Sequence, residues 1–322
     1  SDADVIRDLK NLRYDLRLEL MANIDRMRAL GSSVVRVIDW QVMNNPQLNN
    51  HGLHSGLMQD IQKAQQYLVN SAATIEHSLV PALSSAIESL TGTHKGASRH
   101  GSDLNVRRAQ FMPLGEQRIF RADQEVFGHD LSVHLLVDIS LSMREGQKGP
   151  PTMKFVCPDS AGFMACQAAL ALARALSRTE GTSCEATFFP GPFEGSSCLN
   201  VKRADEDINA VERFFFQLPR LGTPTAQAIM YAMHSLLRRD ARRRVILLIT
   251  DGLPDDSAAA VHALNTARAR GVQVLCTGIL KTTEEFKQQA RQIFPDMVTV
   301  ENLNDLPATV SRLLLDYTAA YR

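Results

Sequence analysis

The chain has 322 residues, 44% hydrophobic and 22% charged, a composition that suits a globular protein and excludes a disordered tail. Its 35 basic and 35 acidic residues cancel, so no overall field argues for nucleic acid or an anionic membrane as partner. No apolar run approaches the roughly 20 residues that span a bilayer, so no membrane association is expected.

In chain order, Ser1-Asp2-Ala3-Asp4 lacks a Met and does not read as a signal peptide, as expected of a piece cut from a longer protein. Residues 1–95 read as a helical hairpin or bundle. Apolar residues recur every three or four positions at Val5, Leu9, Leu12, Leu16, Leu20, Ile24, Met27 and Leu30. A second stripe runs from Leu57 through Ile61, Ala64, Leu68, Ala72, Ile75, Leu79 and Leu83 to Ile87 and Leu90, with Pro81 expected to kink or split it. Between the stripes, Ser32 to Met43 fits helix or strand equally well. Residues 96–130 read as a connecting segment. The stretch Gly92 to Gly101 reads as a loop, and its His94 and His100 have no ligand partner at metal spacing.

Residues 131–322 alternate strand and helix. Strands are expected at Val133–Val137, Cys184–Phe189, Val245–Thr250, Val272–Leu280 and Met297–Val300. Helices are expected at Phe163–Leu176, Ile208–Leu218, Ala226–Leu237, Ser257–Arg270 and Leu306–Tyr317. This order predicts an α/β fold, a doubly wound and mainly parallel sheet flanked by helices and preceded by the helical region. Ligands of such sheets bind at the carboxyl ends of strands, where strand order reverses. The most polar short motifs of this chain fall at such ends.

The first is Asp138-Ile139-Ser140-Leu141-Ser142, directly after a strand; its spacing sets three oxygen donors on one side of a tight loop. The second is Leu221-Gly222-Thr223-Pro224-Thr225 before a helix, and the third is Asp251-Gly252 after a strand. Hydroxyls and two carboxylates form a hard-oxygen set suited to octahedral Mg²⁺ with a position left for water or an outside ligand.

In this order and separation the motifs resemble the metal-ion-dependent adhesion site (MIDAS) of von Willebrand factor A (VWA) domains. The resemblance implies that Ser140, Ser142 and Thr223 are hydroxyl ligands of Mg²⁺, or of Mn²⁺ or Ca²⁺. It implies that Asp138 and Asp251 bind directly or through water, and that a protein partner's carboxylate completes the sphere. Many relatives have Gly where this chain has Leu141, a larger side chain able to cover the site. The Gly- and Pro-rich stretch Arg144 to Gly162 is a candidate partner-selecting loop. Leu141, Arg144, Thr225 and Asp255 are the candidate partner contacts.

Three further stretches resemble the cobaltochelatase CobT type: Arg99 to Leu104 with Arg118 to Arg121, Arg243 to Asp256, and Phe294 to Leu313. The last two are also similar to the NorD and CbbO accessory proteins. That resemblance implies a MoxR-class AAA+ ATPase as partner and a cytoplasmic location. The chain has neither a Gly-x-x-x-x-Gly-Lys-Ser/Thr phosphate loop nor a Gly-x-Ser-x-Gly elbow, so it is not expected to be catalytic by itself. The expected function is a metal-dependent protein–protein interaction module, an adaptor or chelatase-like subunit. Alternatives are a cobaltochelatase subunit acting on a corrin and an extracellular adhesin, the latter disfavoured by the lack of a signal peptide and by five cysteines, an odd number.

The cysteines, Cys157, Cys166, Cys184, Cys198 and Cys276, read as free and mostly buried thiols. Arg238, Arg239, Arg242, Arg243 and Arg244 read as a solvated helix end, Phe214 to Phe216 as partly core, and Asp255 and Asp256 as the start of the next helix.

Overall fold

The computed structural model describes residues 37–43, 55–91, 97–98, 112, 120–121, 129–144, 160–193, 195–250, 253–279, 284–300, 305, 309 and 312–313. The stripe from Val5 to Leu30, His94 and His100, Cys157, residues 145–159, Asp251 and Gly252, and most of the final expected helix lie outside them.

In chain order the elements are β1 (Val37–Asp39), α1 (Trp40–Met43), α2 (Ser55–Thr91), β2 (Ala97–Ser98), β3 (Phe120–Arg121) and β4 (His129–Asp138). A 3₁₀ turn (Leu141–Arg144), α3 (Ala161–Arg178), β5 (Thr182–Phe189), β6 (Cys198–Lys202), α4 (Ile208–Val211) and a second 3₁₀ turn (Glu212–Phe215) follow. The chain continues through α5 (Thr225–Leu237), β7 (Ala241–Thr250), α6 (Ser257–Ala269), β8 (Val272–Ile279), α7 (Glu284–Ile293) and β9 (Val298–Val300).

Seven strands form one sheet in the order β1-β6-β5-β4-β7-β8-β9, and β2 pairs with β3 separately. Neighbours in the large sheet run parallel except β5 and β6. The expected doubly wound α/β architecture is therefore present. From β4 the chain winds outward through β5 and β6, then crosses back to lay β7 on the other side of β4. The reversal opens the sheet's crevice at the carboxyl end of β4.

The central strands are buried on both faces and hence continuously apolar. Leu135 and Val137 join Leu68, Leu79, Leu170 and Leu172 in a core built by α2 and α3. Leu136, Ile246 and Leu248 join Ile229, Met233 and Leu264 in the opposite core under α5 and α6. Ser160 caps α3, its side chain accepting from the Phe163 N–H at 3.2 Å. Arg174 of α3 donates to Val69 O of α2 at 3.0 Å and pairs with Glu212, while Glu76 of α2 pairs with Arg178.

Several expectations change. Val37–Asp39 is strand and Trp40–Met43 helix, so the ambiguous segment is both, and the first zone supplies an edge strand of the main sheet. Pro81 lies within α2 without splitting it. The expected helix Ile208–Leu218 stops at Val211 and tightens into a 3₁₀ turn, because Phe215 and Phe216 turn into the core. Phe214 stays half-buried, 4.7 Å from the Trp40 ring. Strand β6 and helix α7 were not expected.

The arginine cluster is not simply solvated. Arg239 pairs with Glu185 at 2.6 Å, and Arg244 donates to Leu236 O and Arg239 O, which ties the end of α5 to the sheet. Cys166, Cys184, Cys198 and Cys276 are free and buried as expected. Among the described residues no helix is long and apolar enough to cross a membrane.

Candidate metal centre

Strand β4 runs straight into the first motif. Asp138 is its last residue, register-paired with Phe189 at the end of β5, and is fully buried. One carboxylate oxygen accepts the Ser140 N–H at 2.7 Å, an Asx-type turn that folds the loop back on itself. The other accepts the Thr250 hydroxyl at 2.6 Å. Thr250 ends β7 and immediately precedes Asp251. Burial pushes the Asp138 carboxyl up to about 6, against the hydrogen bonds from Thr250 and Ser140, and the charge of Asp255 adds to the rise.

Beyond the strand, Met143 N donates to Ser140 O at 3.1 Å as the 3₁₀ turn forms. The Ser140 and Ser142 hydroxyls come within 2.9 Å of each other; Ser140 is buried and Ser142 exposed. Gly162 opens α3 against this turn, where an added Cβ would lie 3.2 Å from Met143 O.

The second motif is stitched beside the first. Arg220 N donates to Ile139 O at 2.8 Å, and Ser140 and Arg220 form a parallel bridge. Gly222 then takes φ +90, a conformation that disfavours any side chain. The Thr223 N–H donates to Asp255 Oδ2 at 2.7 Å, while Asp255 N donates back to Thr223 O at 3.1 Å. Thr225 is buried, its hydroxyl donating to Thr223 O at 3.3 Å. Asp256 caps α6 by accepting from Ala259 N at 2.9 Å.

The β5–β6 loop walls the same edge. Its Pro190 O accepts from Arg220 Nη1 at 3.3 Å. A Cβ on Gly191 would sit 2.3 Å from Ser196 Oγ and 2.9 Å from Ser196 O. Gly191→Ala should therefore lower stability by about 1–3 kcal/mol through overpacking, read as a fall in melting temperature. An unchanged melt would show that the loop has room.

Asp138 thus contacts Ser140 and Ser140 contacts Ser142, Thr223 is on the adjoining loop, and Asp251 is outside the described residues. Thr250 and Asp255 carry positioning roles that sequence reading missed or left open; a hydroxyl just before a strand-end Asp-Gly was the available signal for Thr250. Among the described residues no group of three His, Cys, Asp or Glu side chains could hold a metal.

The donors present fit a hard cation. In an octahedral Mg²⁺ sphere with bonds of about 2.0–2.1 Å, neighbouring ligands stand about 2.9 Å apart. The two serine hydroxyls, which hydrogen-bond to each other at 2.9 Å, stand at a separation compatible with that sphere. Asp138 is a buried carboxylate whose hydrogen-bond partners, among the described residues, are an amide and a hydroxyl rather than a cation.

Residues 199–311 match the family model of the von Willebrand factor type A domain. No curated protein matches the chain. Among solved structures, an aerotolerance-related membrane protein from Bacteroides fragilis aligns at 19% identity over 58% of this chain and 99% of its own, with TM-score 0.44. The manganese-loaded TRAP protein of Plasmodium vivax aligns at 20% identity over 60% of this chain and 76% of its own, with TM-score 0.44. The pilus adhesin SpaC from Lactobacillus rhamnosus GG aligns at 15% identity over 61% of this chain and 31% of its own, with TM-score 0.47. Identities this low carry no functional information.

Proposed function

We propose that the chain is a non-catalytic, metal-dependent protein–protein interaction module. In this reading Asp138, Ser140, Ser142, Thr223 and Asp251 hold Mg²⁺, or Mn²⁺ or Ca²⁺, and a partner's carboxylate completes the sphere. The observation that carries it is the pair of serine hydroxyls 2.9 Å apart in front of the buried Asp138 carboxylate. A bound divalent cation supplies a Lewis-acidic anchor for an acidic side chain.

The chain's own residues do the rest. Asp138 fixes the first loop through Ser140 N, Thr250 holds the Asp138 carboxylate in place, and Asp255 clamps the backbone of Thr223. The resemblance to CobT, NorD and CbbO proteins supports an adaptor or chelatase-like subunit that works with a MoxR-class AAA+ ATPase. The absence of a phosphate loop from the sequence supports placing ATP hydrolysis on another chain.

Titration of the full chain with Mg²⁺ in a calorimeter should show a single site that Asp251→Ala removes. Co-purification of the ATPase should occur in Mg²⁺ and fail in EDTA. Equal recovery in both, or Mg²⁺ binding retained by Asp251→Ala, would sink the docking role.

A further inference from the structure

A cleft of about 280 Å³ opens at the amino end of β5, roughly 20 Å along that strand from the metal candidate at its carboxyl end. Its lining comes from Ser177 and Arg178 at the end of α3, Thr182 to Cys184 at the start of β5, and Lys202 with the loop into α4. The volume falls just below the range of about 300–1,000 Å³ usual for drug-sized ligands, so an occupant is small.

Four ionic side chains belong to the lining, Arg178 and Lys202 of one sign, Glu206 and Asp207 of the other. Lys202 is buried, and its ammonium donates to Cys184 O and Arg203 O, each at 3.0 Å. Those carbonyls take two of its three hydrogens, and no carboxylate among the described residues accepts the third. Arg178 is exposed and pairs with Glu76 through Nη1. Glu206 is occupied at both oxygens, by Trp40 Nε1 at 3.0 Å and Arg203 N at 2.8 Å. Asp207 accepts from Asn209 N and Nδ2 through Oδ1, each at 3.0 Å, while Oδ2 accepts from no described residue. A ligand that is only an anion, or only a cation, is attracted by one pair of these groups and repelled by the other. A ligand that carries both charges is attracted by each.

We propose that this cleft binds a small zwitterion, a molecule of free amino-acid size whose carboxylate meets Lys202 and Arg178 and whose ammonium meets Asp207. The site stands independently of the metal-docking reading. Because Lys202 lies out of water its charge is weakly screened, and the ligand's carboxylate supplies the counter-charge that the fold itself does not place there.

The test adds a mixture of the standard amino acids to the full chain and follows them by saturation-transfer difference NMR. Each one that responds is then titrated beside its amine without the carboxylate and its acid without the ammonium. The zwitterion should bind about tenfold tighter than either, the effect of losing one charge-assisted hydrogen bond. Asp207→Asn keeps an oxygen to cap α4, so it should fold as wild type and bind the amino acid about tenfold more weakly. Lys202→Met should lose binding to a similar degree with an unchanged or higher melting temperature, since it removes a buried charge that lacks a counter-ion. Asp251→Ala should bind the amino acid as wild type does.

No response from any amino acid at about 10 mM, where even a millimolar site would be filled, overturns the proposal. So does an acid or an amine that binds as tightly as the zwitterion, or full affinity in Asp207→Asn. Should Lys202→Met fail to fold, Lys202 is a structural staple, and Asp207→Asn with the amine and acid series decides the site.

Discussion

Asp138→Asn is expected to raise the melting temperature of the metal-free protein and, at the same time, to abolish its stabilisation by Mg²⁺. Asp138 is fully buried at the end of the central strand, and its carboxyl is pushed up to about 6 chiefly by that burial. At neutral pH the metal-free fold therefore carries a desolvated negative charge that accepts from the Thr250 hydroxyl and from the backbone and side chain of Ser140. Asparagine keeps the shape and an oxygen for Ser140 N, and the Thr250 hydroxyl can rotate to accept from the new amide. Relief of the buried charge should contribute about 1–3 kcal/mol, with each kcal/mol shifting the melt by about 2–4 °C. Wild type should instead gain about 2.7 kcal/mol when Mg²⁺ reaches a hundredfold excess over its dissociation constant, and the variant should gain nothing. The two effects have opposite signs, so melts with Mg²⁺ and with EDTA separate them. A variant that is less stable without metal, yet still stabilised by Mg²⁺, would remove Asp138 from the centre.

The first loop of the candidate site was legible in sequence because its parts are local. A two-faced apolar run ending in Asp138, with hydroxyls two and four residues later, specifies strand, turn and donors within one short stretch. What stayed hidden depends on distant partners. Val37–Asp39 is too short to show a period, and only pairing with β6 makes it a strand. Strand β6 has five residues and no long apolar run, and α7 offers little beyond Phe286, Ala290 and Ile293 against seven polar neighbours. Arg239 looked like a solvated helix end because its partner, Glu185, lies 54 residues upstream in sequence. Asp255 looked like part of a helix start because its bond to Thr223 spans 32 residues. Local pattern thus marked the candidate donors, while the bonds that fix their loops came from tertiary structure.

Glu185→Gln should destabilise the fold at neutral pH, with a loss that fades in acid. Glu185 is buried on β5, where Oε2 accepts from the Ser235 hydroxyl and Oε1 accepts from Arg239 Nε at 2.8 Å. His134 Nδ1 lies 3.3 Å from Oε2. Burial alone would raise this carboxyl, but the hydrogen bond and charge of His134, with Ser235 and Arg239, outweigh it and hold it at about 2. Because the folded value lies below the ordinary 4.5, the carboxylate contributes its full stability above pH 4.5 and loses it as pH falls toward 2. Arg239 is partly in solvent, so the contribution is discounted to about 2 kcal/mol, or a fall of about 4–8 °C in melting temperature at pH 7. Near pH 2–3 the variant and wild-type curves should converge. A gap of constant size across that range would assign the loss to packing rather than to charge. Ser235 closes the last turns of α5, whose first residue, Thr225, bonds Thr223 O. The same carboxylate that stabilises the sheet therefore anchors one end of the helix whose other end carries the second loop of the metal centre.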